Sequence, residues 1–399
     1  MITTVELGAL VASETPICYG ILMPGAHTQG GVPVIKVRDF DTGGIDVNRL
    51  LHAEPRLEAP FRRSRLEPGD ILLSIRGTTG AVATVPPELA GANITQDTAR
   101  IRVAETERAY LYQALQAPAV QRQIRLHTIG QAVKGINIGA VRRLAIPWPP
   151  KRRRDLIGRI LSACDAQSRV MGRLLDAKRI FKRGLMRSLV EGEKRFAKFD
   201  NGPWACEALS TLVEPVSRRN TSRVEIVLSA TGERGLVNQR SYFKRSVAGD
   251  NISNYYLLKR GEFAYNRSSM KGYPFGATKR LDDYAEGVLS TLYTCFRIRD
   301  AGLDSDFVVH LFESGLLDRQ LRRITKVGGR AHGLLNVTAS EYFAITIPLP
   351  SLDEQRRISQ ILNDCAREIG LLERLRHQLE IHKSAIFARL LSGQIAVPA

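Results

Sequence analysis

At 399 residues the chain is long enough for two or three domains, and a composition 44 % hydrophobic and 25 % charged is that of a globular protein, not a disordered one. No apolar run approaches the roughly 18–20 residues that cross a bilayer, and the N-terminus shows no basic and apolar regions of a secretory signal. Fifty-eight Lys and Arg against forty Asp and Glu give a net charge of +18, which attracts polyanions, nucleic acid first among those of the cytoplasm.

In chain order, short β-type runs come first: 32–37 (VPVIKV), 71–75 (ILLSI) and 99–103 (ARIRV), punctuated by Gly, Pro and Asn turns. A helical pattern over 107–124 follows, then a glycine-rich loop, 130–137, and a strand running into Pro147 and Pro149. From there Ile157, Ile160, Leu161, Cys164, Met171, Leu174, Leu175, Ile180, Phe181, Leu185 and Leu189 recur at helical spacing up to Gly192. The second half repeats the plan: β-type runs at 224–228 (VEIVL) and 293–298 (YTCFRI), a helical pattern over 305–324, a glycine-rich loop over 328–336, Pro348 and Pro350, and an apolar stripe from Ile358 through Leu390 to Gly393.

The halves are a duplication. Residues 146–192 align without a gap on 347–393 at a constant offset of 201, with identities including Ile146/Ile347, Pro147/Pro348, Ile157/Ile358, Leu161/Leu362, Cys164/Cys365, Leu174/Leu375 and Gly192/Gly393. Upstream the offset drifts, from 202 at Leu10-Val11/Leu212-Val213 to 192 at Pro68–Ile71/Arg260–Phe263. The fold class expected is α+β: two mixed α/β domains (1–150 and 201–350) alternating with two long helical segments (151–200 and 351–399), in a pseudo-twofold repeat. Each helix of about 40 residues is on the order of 60 Å long, and the stripes are expected to pack as an antiparallel, coiled-coil-like pair. Residues 151–195 hold fourteen Lys/Arg and five Asp/Glu, whereas 353–392 hold seven and six. One helix is strongly basic and the other nearly neutral.

No catalytic signature is present. The pairs Pro86-Pro87 and Pro149-Pro150 lack the Asn/Asp before and the aromatic after that an adenine methyltransferase needs, and there is no phosphate-binding GxxxxGK[ST], no GxGxxG and no HExxH. Five cysteines at 18, 164, 206, 295 and 365, with no CxxC pair and no Cys/His cluster, support neither a disulfide framework nor a metal site and fit a reducing cytoplasm. No cofactor, metal or catalytic residue is expected.

The motif Pro350-Ser351-Leu352-Asp353-Glu354-Gln355-Arg356-Arg357-Ile358, the stretch 62–103 and the stretch 135–150 together resemble the specificity (S) subunits of type I restriction–modification enzymes, over essentially the whole chain. The first copy departs from the pattern, with Arg152-Arg153-Arg154 where the second has its acidic-Gln turn. The resemblance implies a non-catalytic DNA-specificity subunit with two target recognition domains, each reading half of a split asymmetric site. Its helices would set the spacing and dock two adenine-methyltransferase (M) subunits, and restriction/translocase (R) subunits would join the assembly. Double-stranded DNA is the expected ligand, in the cytoplasm and away from membranes. The alternative is a stand-alone bivalent nucleic-acid-binding protein without methyltransferase partners.

Base reading needs Arg, Lys, Asn and Gln in exposed turns. In the first domain the candidates are Arg76, Thr78, Asn93, Gln96, Lys134 and Asn137, with Arg62 and Arg63 for phosphates. In the second they are Arg218, Arg219, Asn220, Asn266, Arg267, Lys271 and Tyr273, with Lys326 and Arg330 beside Gly328-Gly329.

Overall fold

The structure is a computed structural model that describes residues 3–395 apart from 42–43, 131–133, 201, 233, 244–251, 326–334 and 393. Helices and strands are mixed throughout. The chain divides into two compact units, Met1–Leu175 with Leu372–Ala399, and Asp176–Leu371.

In the first unit, Thr4–Glu6 pairs antiparallel with Ala145–Pro147. A four-stranded antiparallel sheet has the order Cys18–Tyr19, Thr98–Ile101, Ile71–Ser74, Val82–Thr84. The central strand is buried on both faces because alternate side chains enter different cores. Ile71, Leu73 and Ile75 join the core made with helices Glu105–Gln116, Pro118–His127 and Ile138–Arg142. Leu72 instead packs with Ile35, Ala83 and Ile94, next to a second sheet of Leu51–Ala53, Val32–Ile35 and Asn93–Ile94.

The second unit has the same plan. Ala205–Ala208 pairs with Thr346–Leu349, and a four-stranded sheet runs in the order Val213–Pro215, Thr294–Ile298, Phe263–Asn266, Ala277–Arg280. Phe263, Tyr265 and Phe296 enter the helical core, while Ala264 and Cys295 face the other way. Stacking of Phe263 on Phe296 (5.1 Å) and Tyr265 on Tyr342 (4.3 Å) fills that core with rings. Helices Ser305–Glu313, Asp318–Ile324 and Ala339–Phe343 close it.

Two long helices, Lys151–Val190 and Leu352–Ser392, each contribute residues to both units. Gly192, just past the first, has φ +73° and lies against Trp204, where a Cβ would come within 3.1 Å of the ring. Ile157, Leu161, Phe387 and Leu390 enter the core of the first unit, and Met186, Leu189, Ile358 and Leu362 that of the second. In the first unit the ion pair Asp165–Lys383 and the Ser168–Glu380 hydrogen bond show the two helical segments running in opposite directions. In the second, Lys178 pairs with Glu368 at 2.7 Å.

Three expectations need correction. The patterns over 107–124 and 305–324 are each two helices, because Pro118 cannot donate into a continuing helix and Gly315, at φ +80°, turns the chain. The run 224–228 is not a strand; the strand is Leu228–Thr231. The stripe on the first long helix is not uniformly buried: Leu174 is 41 %, Ile180 62 % and Phe181 59 % exposed.

Candidate nucleic-acid interface

At one end of the four-stranded sheet of the first unit, the chain leaving Ile71–Ser74 meets the returning segment 134–136. Gly77 N–H donates to the Lys134 carbonyl (2.9 Å), and Ile136 N–H to that of Ile75 (2.9 Å). Gly77 adopts φ +70°, so the chain turns there and leaves Arg76, Gly77 and Thr78 exposed. Arg76 Nη1 donates to Gln96 Oε1 at 3.1 Å. Arg76, Thr78, Gln96 and Lys134 are thus gathered at one tip. Arg–Gln pairing leaves most of a guanidinium's five donors open, which suits bidentate contact with guanine.

Three further side chains belong to this tip and were not singled out from sequence. Gln96 N–H bonds the Ile21 carbonyl at 2.9 Å, and the residues that follow, Leu22 and Met23, are 47 % and 83 % exposed. The signal for them was an apolar run inside a turn, Gly20-Ile21-Leu22-Met23-Pro24-Gly25. Ile129, bridged to Gly135, is 74 % exposed.

The other first-unit candidates fare differently. Arg62 and Arg63 lie exposed on a short 3-10 turn, Ala59–Ser64, and their guanidiniums make no hydrogen bond or ion pair among the described residues. Asn137 is exposed but engaged as the cap of helix Ile138–Arg142, accepting from Ala140 N–H at 2.8 Å. Asn93 is not a DNA contact: it is fully buried, donates to Glu58 (2.9 Å) and the Phe61 carbonyl (3.1 Å), and accepts from Ser64 Oγ (2.7 Å). With Arg65 bonding both Glu58 oxygens at 2.7 and 2.6 Å, this network pins the 54–65 segment to strand Asn93–Ile94. The Arg65 hydrogen bonds, joined by that from Asn93, hold the Glu58 carboxyl below the usual carboxylate range.

In the second unit most candidates are structural. Arg218 pairs with Glu262, and this is the second unit's version of the Arg102–Asp70 pair (2.7 Å) of the first. Asn220 is 2 % exposed and closes a loop through Val224 N–H (2.8 Å) and the Val224 carbonyl (2.9 Å). Arg267 donates to the Leu292 (2.7 Å) and Val337 (3.2 Å) carbonyls. Asn266 caps its own turn through Ser268 N–H. Tyr273 is packed beneath the buried Lys279 ammonium, 4.4 Å from its ring, and accepts from it at 2.8 Å. Buried Asn220 is thereby corrected from base reader to framework, while Arg218, Asn266, Arg267 and Tyr273 are tied into the protein and stay partly exposed. Lys271 and Arg219 remain exposed, the latter over Tyr256 at 5.0 Å. Lys326 and Arg330 lie outside the described residues.

The two tips are built alike and furnished differently. Leu335 N–H bonds the Arg267 carbonyl at 2.7 Å as Ile136 N–H bonds that of Ile75, so Ser268 occupies the place of Arg76. Among the described residues no group of three or more His, Cys, Asp and Glu is placed to hold a metal ion, and no helix is long and apolar enough to cross a membrane.

Compared with curated proteins, the chain is similar to the EcoBI type I restriction enzyme specificity subunit of Escherichia coli, 26 % identical over 145 residues, a match spanning 36 % of this chain and 30 % of that protein's length. It is also similar to a putative type I restriction enzyme specificity subunit, MjaX, of Methanocaldococcus jannaschii, 23 % identical over 393 residues, or 92 % and 88 % of the two chains. No family model matches. Among solved structures, the type I restriction–modification S subunit of M. genitalium superposes with a TM-score of 0.56 at 14 % identity, covering 97 % of this chain and 95 % of the other. A chain from a structure of type I restriction–modification complex assembly and conformational transition gives 0.55 at 17 %, covering 98 % of each.

Proposed function

We infer that this chain, which belongs to the specificity subunits of type I restriction–modification systems, is the subunit that chooses the DNA sequence for such a complex. It carries no chemistry of its own; adenine methylation and DNA cleavage fall to partner subunits. The observation that carries the reading is the duplication, with the same sheet order in both units and each copy of the repeat ending in a 40- or 41-residue helix, in a chain similar to a specificity subunit over 92 % of its length.

The first recognition domain reads its half-site with Arg76, Thr78, Gln96 and Lys134, and the second reads a different half with the region of Ser268 and Lys271. Two like scaffolds with unlike tips suit an asymmetric split target. The long helices form a coiled-coil-like ruler between the halves and dock two methyltransferase subunits, for which a duplicated surface is the matching symmetry. Exposed apolar side chains on them support docking: Val170, Leu174, Leu375 and Ile381 in the first unit, and Ile180, Phe181 and Leu371 in the second.

Co-expression with the methyltransferase encoded nearest to it, followed by stoichiometry and sequencing of methylated adenines in a random DNA library, tests the reading. The expected outcome is a complex with two methyltransferase subunits that methylates one split, asymmetric motif. A chain that binds DNA but joins no methyltransferase is a stand-alone bivalent binder instead. Methyl transfer by the isolated chain would overturn the non-catalytic assignment.

A further inference from the structure

At one central position the sheets of the two units differ by a buried charge. The registers Ile71↔Ile101 and Phe263↔Phe296 make Arg100 the counterpart of Cys295, each 3 % exposed. The same alignment makes Asp70 the counterpart of Glu262, and each accepts a 2.8 Å bond from the backbone N–H three residues before it. Both carboxylates have an arginine partner, Arg102 and Arg218. Arg100 has no carboxylate among the described residues. Its Nη2 donates to the Pro16 carbonyl at 3.0 Å, and its Nε is buried without a hydrogen-bond partner.

A charge withdrawn from water is normally paired, because desolvation otherwise goes uncompensated. Arg100 lines a cleft of about 420 Å³ together with Arg62, Arg63, Arg142, Cys18 and Tyr19. Among the described residues Arg142 Nη2 reaches only the Ile17 carbonyl, at 3.3 Å, and Arg62 and Arg63 have no partner. The Cys18 thiol donates to the Arg63 carbonyl (3.6 Å), tying the turn that carries both rim arginines to the strand paired with Arg100. Arg65 and Arg102 also border the cleft but are neutralised by Glu58, Glu67 and Asp70. Glu14, on the same rim, bonds Ser13. Four arginines of the cleft, one of them buried, thus have no carboxylate partner among the described residues.

We propose that this cleft is a phosphate-binding pocket, with Arg100 as its floor and Arg62, Arg63 and Arg142 as its rim. Arginine suits the role because its planar fork matches the oxygens of a phosphate. The phosphate is one of the DNA backbone or a free phosphate group; only the first source rests on the DNA-specificity reading. The second unit, with a neutral thiol in place of Arg100, has no such floor.

Two arms test the pocket on the full-length chain with the variants Arg62→Ala/Arg63→Ala and Arg100→Gln. In the first, thermal unfolding is followed in inorganic phosphate against chloride at matched ionic strength; the wild type should be raised by phosphate and both variants should not. In the second, DNA affinity of the chain assembled with methyltransferase is measured against salt. A backbone phosphate in the pocket predicts several-fold weaker binding to all sequences alike, with the salt slope reduced by about one in each variant. Stabilisation by phosphate with an unchanged slope supports the pocket and assigns it a free phosphate. No phosphate-specific stabilisation together with unchanged slopes overturns the proposal. An assembly that binds no DNA defeats the specificity reading alone, and the first arm still judges the pocket.

Discussion

Asn93 and His310 show how a buried polar side chain acts at the scale of single groups. Removing the Asn93 amide takes one hydrogen bond each from Ser64, the Phe61 carbonyl and Glu58 Oε1, losses that the Ser64–Phe61 and Arg65–Glu58 bonds only partly offset, so Asn93→Ala should cost ~1–3 kcal/mol of stability. Asn93→Asp should cost more, since it sets a second carboxylate against Glu58 Oε1, now 2.9 Å from the amide nitrogen. Urea unfolding measures both, and equal or negligible losses would return Asn93 to the list of surface residues. His310 is 3 % exposed; its Nε2 meets Asn363 Oδ1 at 2.9 Å and its Nδ1 has no partner among the described residues. Because Asn363 Nδ2 donates to Asp306 (2.8 Å), its oxygen accepts from the imidazole, leaving Nδ1 as the unprotonated nitrogen. Burial pushes the imidazole below its ordinary value of 6.5, with Lys182 adding to the shift and Asn363, Glu313 and Asp306 opposing it. The unfolded chain therefore binds the extra proton first as pH falls, and stability is lost from about pH 6.5 downward. Unfolding at pH 7.5 and 5.5 should show a smaller difference for His310→Gln than for the wild type, and an unchanged difference would acquit His310.

At the scale of elements, the start of each long helix is latched to its own unit by different chemistry at one register position. Gln355, wholly buried, donates to the Pro350 and Gly302 carbonyls (both 2.9 Å) and accepts from Asp304 N–H (2.8 Å). Arg154, 201 residues earlier, donates to the Pro149 carbonyl (2.7 Å), bonds both Glu107 oxygens (2.8 and 2.7 Å) and lies 4.3 Å over Trp148. The departure of the first copy from the acidic-Gln pattern is thus compensated by Glu107. In the second copy Glu354 is also internal, accepting from Arg195 and Trp204 (2.9 Å). Gln355→Ala should cost ~2–3 kcal/mol, and an Arg154→Ala/Glu107→Ala cycle should show coupling of about 1–3 kcal/mol. Coupling near zero would mean that the pair is incidental. The repeat, the helix entries at the prolines and the first helix's exit at Gly192 were legible because they are local patterns of turn residues and apolar spacing, while Gly393 lies outside the described residues. The destinations of polar side chains were not. Arg218 and Asn220 read as a basic turn, yet their partners Glu262 and Ile252 lie 44 and 32 residues further along the chain. Arg76 and Lys134 stand out locally because Gly77 and Gly135 follow them, whereas nothing local marked Arg100 as a buried cation without a carboxylate among the described residues.

For the whole molecule, what matters is that the two units share a framework and differ at their tips. The units share sheet order and carboxylate pairs, but the tip position held by Arg76 in one is Ser268 in the other. If each unit reads its own half of the target, a change at one tip must leave the other half-site untouched. Arg76→Ala and Gln96→Ala are the cleanest probes, since Arg76 is exposed, Gln96 partly so, and their mutual hydrogen bond holds no core element in place. In complex with its methyltransferase, Arg76→Ala should relax discrimination at one or two positions of one half-site, by about 1–3 kcal/mol per lost bidentate contact. The other half and the number of bases between them should be unchanged. Deep sequencing of methylated adenines from a library randomised over both halves and the spacer reads all three at once. Relaxation spread over both halves would mean that the tips act jointly, and a changed spacer would mean that Arg76 bears on the placement of the DNA instead of its reading. Lys271→Ala, the matching probe of the second unit, should weaken the other half and leave the first intact.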